Sequence, residues 1–484
     1  MSDSNAHRVG RRAAGNTVVR AVAEVVGKLS TVILLAAIGR KLGQEDLGVF
    51  IFAVAYLEIT MTPIGFGTDP YLLRQVAASR ANLDRLFWNV LAFKAAVAVP
   101  VLALGLTALW PLGYDTTERT VVAVLAAGLL LELLAKTYHA VYTAVERNEL
   151  LASTLVVQRV FTATVGVAAL LGGANLLLVT AIYSVGSSIH LGLAIWLLPR
   201  AVTVPARRVT PIRWWPLTRL SAPFAAQDIL TVLLFKADAV ILSLLADESA
   251  VGRYGAAYRL IEATMFVGFA LNGAFAAMYV YLGRDTDPPL VSVFGRSLKV
   301  GLLLLVPIAV VFGTIPGQVL ALVFGNAFLE AGAALRLLAP VVVLLCVVAM
   351  CTTMAISRGN PRVMLPLTAA MVVVNLGLNA ALIPALEEDG AAMAMLVTEA
   401  VFGIAALRLA IRETGEPPWA TLLAGPLLAG AAMVVPLLVL RDVTLLAILA
   451  GLAVYLAVVV AIERRVSPGD LAFAATLIRR RVGA

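Results

Sequence analysis

Apolar residues dominate this chain in runs of twenty or more, broken by short polar stretches that recur at even intervals. A run of about 20 apolar residues is the length that crosses a bilayer as a helix at 1.5 Å rise per residue. Fourteen such segments can be drawn, near 16–39, 46–67, 86–109, 120–143, 150–172, 175–198, 221–245, 252–281, 293–313, 332–356, 362–385, 390–411, 420–440 and 443–462. The longest connection, "PRAVTVPARRVTPIRWWPLTRL", separates the sixth segment from the seventh. The expected fold is therefore an all-α polytopic membrane protein of about 14 transmembrane helices. Its divisions are an N-terminal bundle at 1–198, an interfacial linker at 199–220, a second bundle at 221–412, two additional helices at 413–463 and a basic amphipathic tail at 464–484.

Composition agrees with the pattern. Of 484 residues, 61% are hydrophobic and 14% charged, against about half and a quarter in soluble domains. The start, "MSDSNAHRVGRRAAGN", is polar and basic, and does not read as a removable signal peptide. With the N-terminus in the cytoplasm, the tails and even-numbered loops hold 24 of the 37 Lys and Arg residues, and the odd-numbered loops hold five. Such a bias places both termini on the cytoplasmic side of the inner membrane. The formal charge of +8 is thus a topology signal, dispersed over loops, and gives no basic face for nucleic acid. Trp88, Trp110, Trp196 and Trp419 fall at segment ends, where amphipathic rings sit at headgroup level. Cys346 and Cys351 lie in one apolar run and read as packing residues.

The chain repeats itself. "LGVFIFAVAYLE" (47–58) aligns without a gap on "VGRYGAAYRLIE" (251–262) at an offset of 204, matching Gly48 to Gly252 and Glu58 to Glu262. The same offset places Glu24 on Asp228. With six segments between the copies, both start on the same side, which describes two six-helix bundles related by a pseudo-two-fold axis along the membrane normal. The expectation is that each glycine opens a corner within its own half, and that both acidic pairs are buried.

Ionisable residues inside the segments are the candidate chemistry: Arg20, Lys28, Lys94, Lys136, Arg159, Lys236, Arg259 and Arg336 against Glu24, Glu58, Glu132, Asp228, Asp238, Glu262 and Glu399. Each costs about 2.5–3.5 kcal/mol at the bilayer centre, so they face water, pair with one another or snorkel. Arg20, Glu24 and Lys28 recur every fourth residue; Glu132 with Lys136, and Arg259 with Glu262, have helical spacing. Two readings stay open: self-neutralising pairs between helices, or stripes lining a cavity for an anionic ligand. On the second, the substrate-binding cations are Arg20, Lys28, Lys136 and Arg259. The cavity acids, candidates for ion coupling, are Glu24, Glu58, Asp228 and Glu262, with Lys28 the expected partner of Glu58. His139 reads as an interhelical hydrogen-bonding residue and His190 as a neutral packing residue. Neither a phosphate-binding G-x-x-x-x-G-K-[ST] loop nor an H-E-x-x-H or Cys/His cluster is present. No catalytic residue, metal or cofactor is expected, and the reading is not an enzyme.

"LAAIGRKLGQEDLGVFIFAVAYLEITMTPIGFGTDPYLLRQVA" resembles the first helices of polysaccharide-type flippases in the multidrug/oligosaccharidyl-lipid/polysaccharide exporter superfamily. Leu42, Gly43, Gly48, Phe50 and Arg74 match the family pattern, and Gln44 replaces its usual proline. "YGAAYRLIE", "VFGNAFLEAGAALRLLAPVVVL" and the Asn375/Asn379 pair with its Gly390 restart are similar to the family's second half. The resemblance implies two bundles that alternately open to each side, moving a lipid-linked oligosaccharide on a polyprenyl pyrophosphate carrier. It implies membrane lipids as surroundings and a glycan polymerase or glycosyltransferases as partners. The competing reading within the superfamily is a drug/cation antiporter; a membrane-embedded biosynthetic enzyme ranks third.

Overall fold

A computed structural model describes residues 3–203, 208–211, 214–281, 290–358 and 364–466, with most side chains from Val22 onward. Among the described residues there is no strand. In chain order the helices are α1 (Asp3–Leu42), α2 (Gln44–Gly65), α3 (Thr68–Ala78), α4 (Asn82–Ala108), α5 (Thr116–Ala144), α6 (Asn148–Leu171), α7 (Leu176–Ala201) and α8 (Trp214–Leu245). They continue as α9 (Glu248–Tyr281), α10 (Leu290–Thr314), α11 (Pro316–Phe324), α12 (Gly332–Leu338), α13 (Val341–Ser357), α14 (Met364–Thr414), α15 (Trp419–Val439) and α16 (Thr444–Val466). Thirteen of the fourteen expected segments each fall within or largely within one helix, and 332–356 is divided between α12 and α13. Eleven helical stretches among the described residues are long and apolar enough to cross a membrane. Helices α3 and α11 were not anticipated from the pattern; they are 11 and 9 residues long, too short to span. The amphipathic tail expected after residue 466 lies outside the described residues.

Local chemistry sets the helix ends. Asp115 and Glu118 close a reciprocal capping box at the start of α5. Asn175 caps α7 through the Leu178 N–H, and Asp247 accepts from the Ala250 N–H at the start of α9. Between α2 and α3 the chain turns through Phe66 (φ 41°) and Gly67 (φ 62°), both left-handed. Gly67 is required there: a Cβ would lie 2.4 Å from the Ala225 backbone nitrogen. Helix α14 runs for 51 residues but breaks at Glu387 (φ 47°, ψ −125°), giving arms at 364–386 and 388–414. This is where the pattern called for two segments.

The helices form two compact units. One contains residues up to 255 together with 368–391; the other contains 256–367 and 392 onward. In the first unit, Leu72, Phe87, Tyr138, Tyr142, Val145 and Leu197 build a core where α3 to α7 converge. Asn89 of α4 pins the linker, donating to the Arg208 carbonyl and accepting from the Thr210 N–H. In the second unit, α15 and α16 pack on α10. Lys299 and Glu463 make a buried ion pair of 2.6 Å there, and the Tyr455 hydroxyl donates to the Leu303 carbonyl.

The repeat shows itself in the first unit in an unexpected form. The two glycines do not each open a corner of their own half. They meet. A Cβ on Gly48 would lie 1.9 Å from the Glu248 carbonyl oxygen, and a Cβ on Gly252 would lie 2.0 Å from the Gln44 carbonyl oxygen. At the 204-residue offset Glu248 is the counterpart of Gln44, so the contact is reciprocal: each copy presents the same residue to the same site on the other. Reciprocity of this kind is the mark of a local two-fold axis. Here it passes between the first turns of α2 and α9, whose backbones touch because neither carries a side chain at the crossing.

Gly48→Ala or Gly252→Ala therefore forces the two helices apart. Each should destabilise the protein by about 1–3 kcal/mol, the usual cost of overpacking. Gly192 in α7 has open space around its Cβ position, and Gly192→Ala is the control that should leave the midpoint unchanged or raised. Thermal unfolding of the purified variants reads the difference; equal midpoints for all three would contradict the crossing.

Candidate functional site: charges inside the first unit

The first unit carries most of the charges that the sequence marks as interior. Glu24 on α1, Lys136 on α5 and Asp228 on α8 are exposed, and Lys28 is half-buried. The expectation that Glu24 and Asp228 are buried fails: both counterparts are exposed residues. The side chain of Arg20 lies outside the described residues. Lys136 and Asp228 are close enough to attract each other, and the same field includes Asp69 and Lys94. Glu132 does not close an in-helix pair with Lys136. It turns toward α6 and α7, accepting from Gln158 and from Ser187 at 3.1 Å, with Arg159 at 3.7 Å. Lys136 is thereby left facing outward from α5.

Glu58 pairs with Lys236 of α8 at 3.1 Å, in place of the Lys28 partner expected from the stripe on α1. Helix α2 packs along α8, which brings the two residues to the same level. The Glu58 carboxylate stays 39% exposed, so this is a loose pair. In the second unit Arg259 and Glu262 pair within α9 at 2.6 Å, each about 15% exposed. The repeated acids thus differ in how firmly they are held.

Three clusters were not assembled from the sequence. Lys94, fully buried on α4, donates to both oxygens of Asp69 at 2.7 Å, to Thr137 at 2.8 Å and to the Leu133 carbonyl at 3.2 Å. Asp69 reaches it because the Phe66–Gly67 turn folds α3 back under the bundle; the "GFGTDP" stretch was the available signal. Asp238, 1% exposed on α8, accepts from the Tyr254 hydroxyl at 2.7 Å and from the Asn379 amide at 3.1 Å. Asn375 also bonds that amide. Among the described residues no cation lies within ion-pair distance of Asp238. Arg253, one residue past the glycine crossing, grips both carboxylate oxygens of Glu388 at 2.5 and 3.1 Å and lies 3.6 Å from Glu387. It also donates to Gln44 at 3.4 Å. The left-handed backbone at Glu387 is what aims two consecutive carboxylates at one guanidinium. Close by, the Tyr114 hydroxyl bonds Ser243 at 2.8 Å, and burial pushes it up to about 12.

Both cysteines are free and buried. Among the described residues no group of His, Cys, Asp and Glu is placed to hold a metal ion.

The helices, eleven stretches of which are long and apolar enough to cross a membrane, carry interior charges, and comparison with known proteins places the chain further. The profile of the family described as "Polysaccharide biosynthesis protein" matches residues 13–276. That is more than half of the chain, which belongs to this family. No curated protein sequence matches. Among solved structures the lipid II flippase MurJ, in an inward closed conformation, matches with a TM-score of 0.75 at 12% identity, covering 92% of this chain and 99% of that one. An inward-facing multidrug resistance MATE family transporter of the MOP superfamily matches at 0.63 and 14% identity, covering 82% and 98%. A MOP superfamily transporter from Pyrococcus furiosus Vc1 matches at 0.61 and 16%, covering 82% and 95%. At these identities the likeness is one of fold.

Removing Lys94 alone isolates a carboxylate and is costly, while removing both charges is not. Lys94→Met should destabilise the protein by about 3–5 kcal/mol, and adding Asp69→Asn should restore most of the loss. Thermal midpoints of the single and double variants decide; a double variant no better than the single one would refute a dominant ion pair.

Proposed function

We propose that this chain is a flippase that moves a lipid-linked oligosaccharide of the polyprenyl pyrophosphate type from the cytoplasmic to the outer leaflet by alternating access. The observation that carries the reading is a set of accessible charges on helices of the first unit, of which Glu24 and Lys136 stand on stretches long and apolar enough to cross a membrane. Glu24, Lys136 and Asp228 are exposed and Lys28 half-buried. Charges left open on such helices need water beside them, and a water-filled cavity with cations on its wall suits a pyrophosphate and its sugars. Family membership in polysaccharide biosynthesis supports a glycan cargo over a drug. The fold shared with a lipid II flippase supports a lipid carrier whose tail stays in the bilayer.

In this reading fourteen helices span the inner membrane with both termini in the cytoplasm, and two six-helix bundles are followed by α15 and α16 as an appended pair. Arg20, Lys28 and Lys136 meet the pyrophosphate, with Arg259 contributing from the second bundle. Glu24, Glu58, Asp228 and Glu262 are the acids that answer an ion. Chemistry on the glycan belongs to partner enzymes, the glycosyltransferases or polymerase that make and extend it. The antiporter reading keeps one specific support, the buried Asp238 carboxylate held by Tyr254 and Asn379, an interior acid of the kind that takes up a proton or a monovalent cation.

Cells deleted for the chain should lose surface polysaccharide and accumulate the lipid-linked precursor, and the wild-type chain should restore export. Normal surface glycan in the deletion strain with altered drug sensitivity would favour the antiporter instead. Lys28→Ala with Lys136→Ala should abolish export at normal protein levels. Of the repeated acids, Glu58→Gln should impair export more than Glu262→Gln, because Glu58 is the looser pair; the reverse order would overturn that assignment. Purified protein in vesicles should flip without ATP, since one charge crossing 100 mV already supplies about 2.3 kcal/mol.

A further inference from the structure

Helices α5 and α7 are joined by a ladder of polar rungs. Ser184 donates to the Val124 carbonyl at 2.8 Å, beside Gly128, where a Cβ would meet the serine hydroxyl at 2.7 Å. Ser187 donates to Glu132. His190 meets His139 with 3.1 Å between their Nε2 atoms, and the Tyr142 hydroxyl donates to the Ala194 carbonyl. Helix α6 adds Thr154 and Gln158 to the same interface. His139 is 9% exposed and His190 2%.

Two ring nitrogens at 3.1 Å share one proton, since one must donate and the other accept. The network assigns which. Thr154 donates its hydroxyl to the Leu151 carbonyl at 2.8 Å, so its oxygen accepts from His139 Nε2–H at 2.9 Å. The same N–H is shared in a three-centre arrangement with His190 Nε2, which accepts at 3.1 Å, so His190 carries its own proton on Nδ1. That Nδ1 is buried with no hydrogen-bond partner among the described residues, as are Gln158 Oε1 and Thr162 Oγ1 in the same three-helix interface. A histidine that merely packs in a membrane bundle has no reason to leave a ring nitrogen orphaned where each unsatisfied group is costly.

We propose that His139 and His190 form a proton-binding site in the first unit, taking up one proton per pair. A proton from water adds to the lone pair of His139 Nδ1, leaving hydroxide to the solvent, and the Nε2–H···Nε2 contact becomes a charge-assisted bridge from the His139 imidazolium to the neutral His190 ring. A second proton would put two cations 3.1 Å apart, so the pair stops at one. The groups that face it fix its balance. On α5 these are Glu132 and Lys136, with Tyr142 beside His139; on α6, Arg159; on α7, Tyr183. Glu58 of α2 is within electrostatic reach of Arg159 and Tyr183. Lys94 of α4 is neutralised by Asp69, and α1, packed on α6, sets Gly27 against the Arg159 side chain. Glu132 is the counter-charge nearest in the ladder, two turns before His139 on the same helix. Uptake of the proton changes the rung that holds α5 to α7, which ties protonation to the packing of this unit independently of what cargo is carried.

The chain has only three histidines, so an 15N-histidine spectrum of the full-length protein in lipid nanodiscs is simple, with His7 the third signal. On acidification from about pH 8 to about pH 4, the range that brackets histidine titration, the His139 and His190 signals should move together with uptake of one proton. Amide exchange in α5 and α7 should change over the same range. His139→Gln should abolish the shared step at His190. Should that variant not fold, Thr154→Val keeps both rings and should displace the step while preserving its joint character. Rings that titrate independently, or that stay neutral throughout, would overturn the site.

Discussion

A charge on a helix in a bilayer has to be answered within a few ångströms, and the first unit is organised around that requirement. Lys94 is the clearest case, because it is fully buried and all of its donors are used. The turn at Phe66–Gly67, the short α3 and the position of α5 all serve to bring Asp69, Thr137 and the Leu133 carbonyl to one ammonium. Remove the turn and Asp69 stays on the end of α2, out of reach. Backbone strain at two residues is thus balanced by a satisfied ion pair in a place where an unsatisfied one would cost several kcal/mol.

The same requirement separates the charges into two kinds. Those with closed partner sets, Lys94 with Asp69, Arg253 with Glu388, and Lys299 with Glu463, fix helices in place and have nothing left to offer a ligand. Those that remain open, Lys136, Asp228 and Glu24, are exposed, and Lys136 and Asp228 attract each other at longer range. Openness is the property a transport site needs, since a cation already saturated by a buried carboxylate must break that bond before it can bind an anion. Glu58 with Lys236 lies between the two kinds: paired, but with more than a third of its carboxylate accessible.

Much of the fold was legible because spanning helices are written as long apolar runs and because the repeat was conserved at residues that bias of composition does not produce. The break at Glu387 was legible for the same reason, as an acidic stretch and a glycine between two apolar runs. Partners were harder. Periodicity gives neighbours on one helix, so it suggested Glu132 with Lys136, and the charged stripe on α1 suggested Lys28 as the partner of Glu58 on the next helix. The structure answers with residues on other helices, Gln158, Ser187, Arg159 and Lys236. Interhelical partners depend on rotation and depth, which apolar periodicity fixes only weakly when nearly every face of a helix is apolar. Asp69 was missed because it stands just past a predicted helix end, where a turn could have sent it anywhere.

The glycine crossing shows how a repeat can specify an assembly as well as a fold. Had Gly48 and Gly252 each served a corner within its own half, their substitution effects would be independent, and two sequence copies would simply encode two similar bundles. Because each glycine accommodates the carbonyl that its own counterpart's turn presents, a Cβ at either position closes both contacts at once. The pair is therefore coupled through one interface, and a methyl at the second site meets helices that the first has already separated. Arg253 reinforces this point from one residue away, tying the first turn of α9 to α14 and to Gln44 of α2. One turn on, the Ile51 side chain of α2 sits over Gly255 of α9, where a Cβ would lie 2.1 Å from the Ile51 Cδ1. The close backbone approach at the glycine pair is what seats that side chain, so a methyl at Gly48 or Gly252 disturbs both levels of the contact.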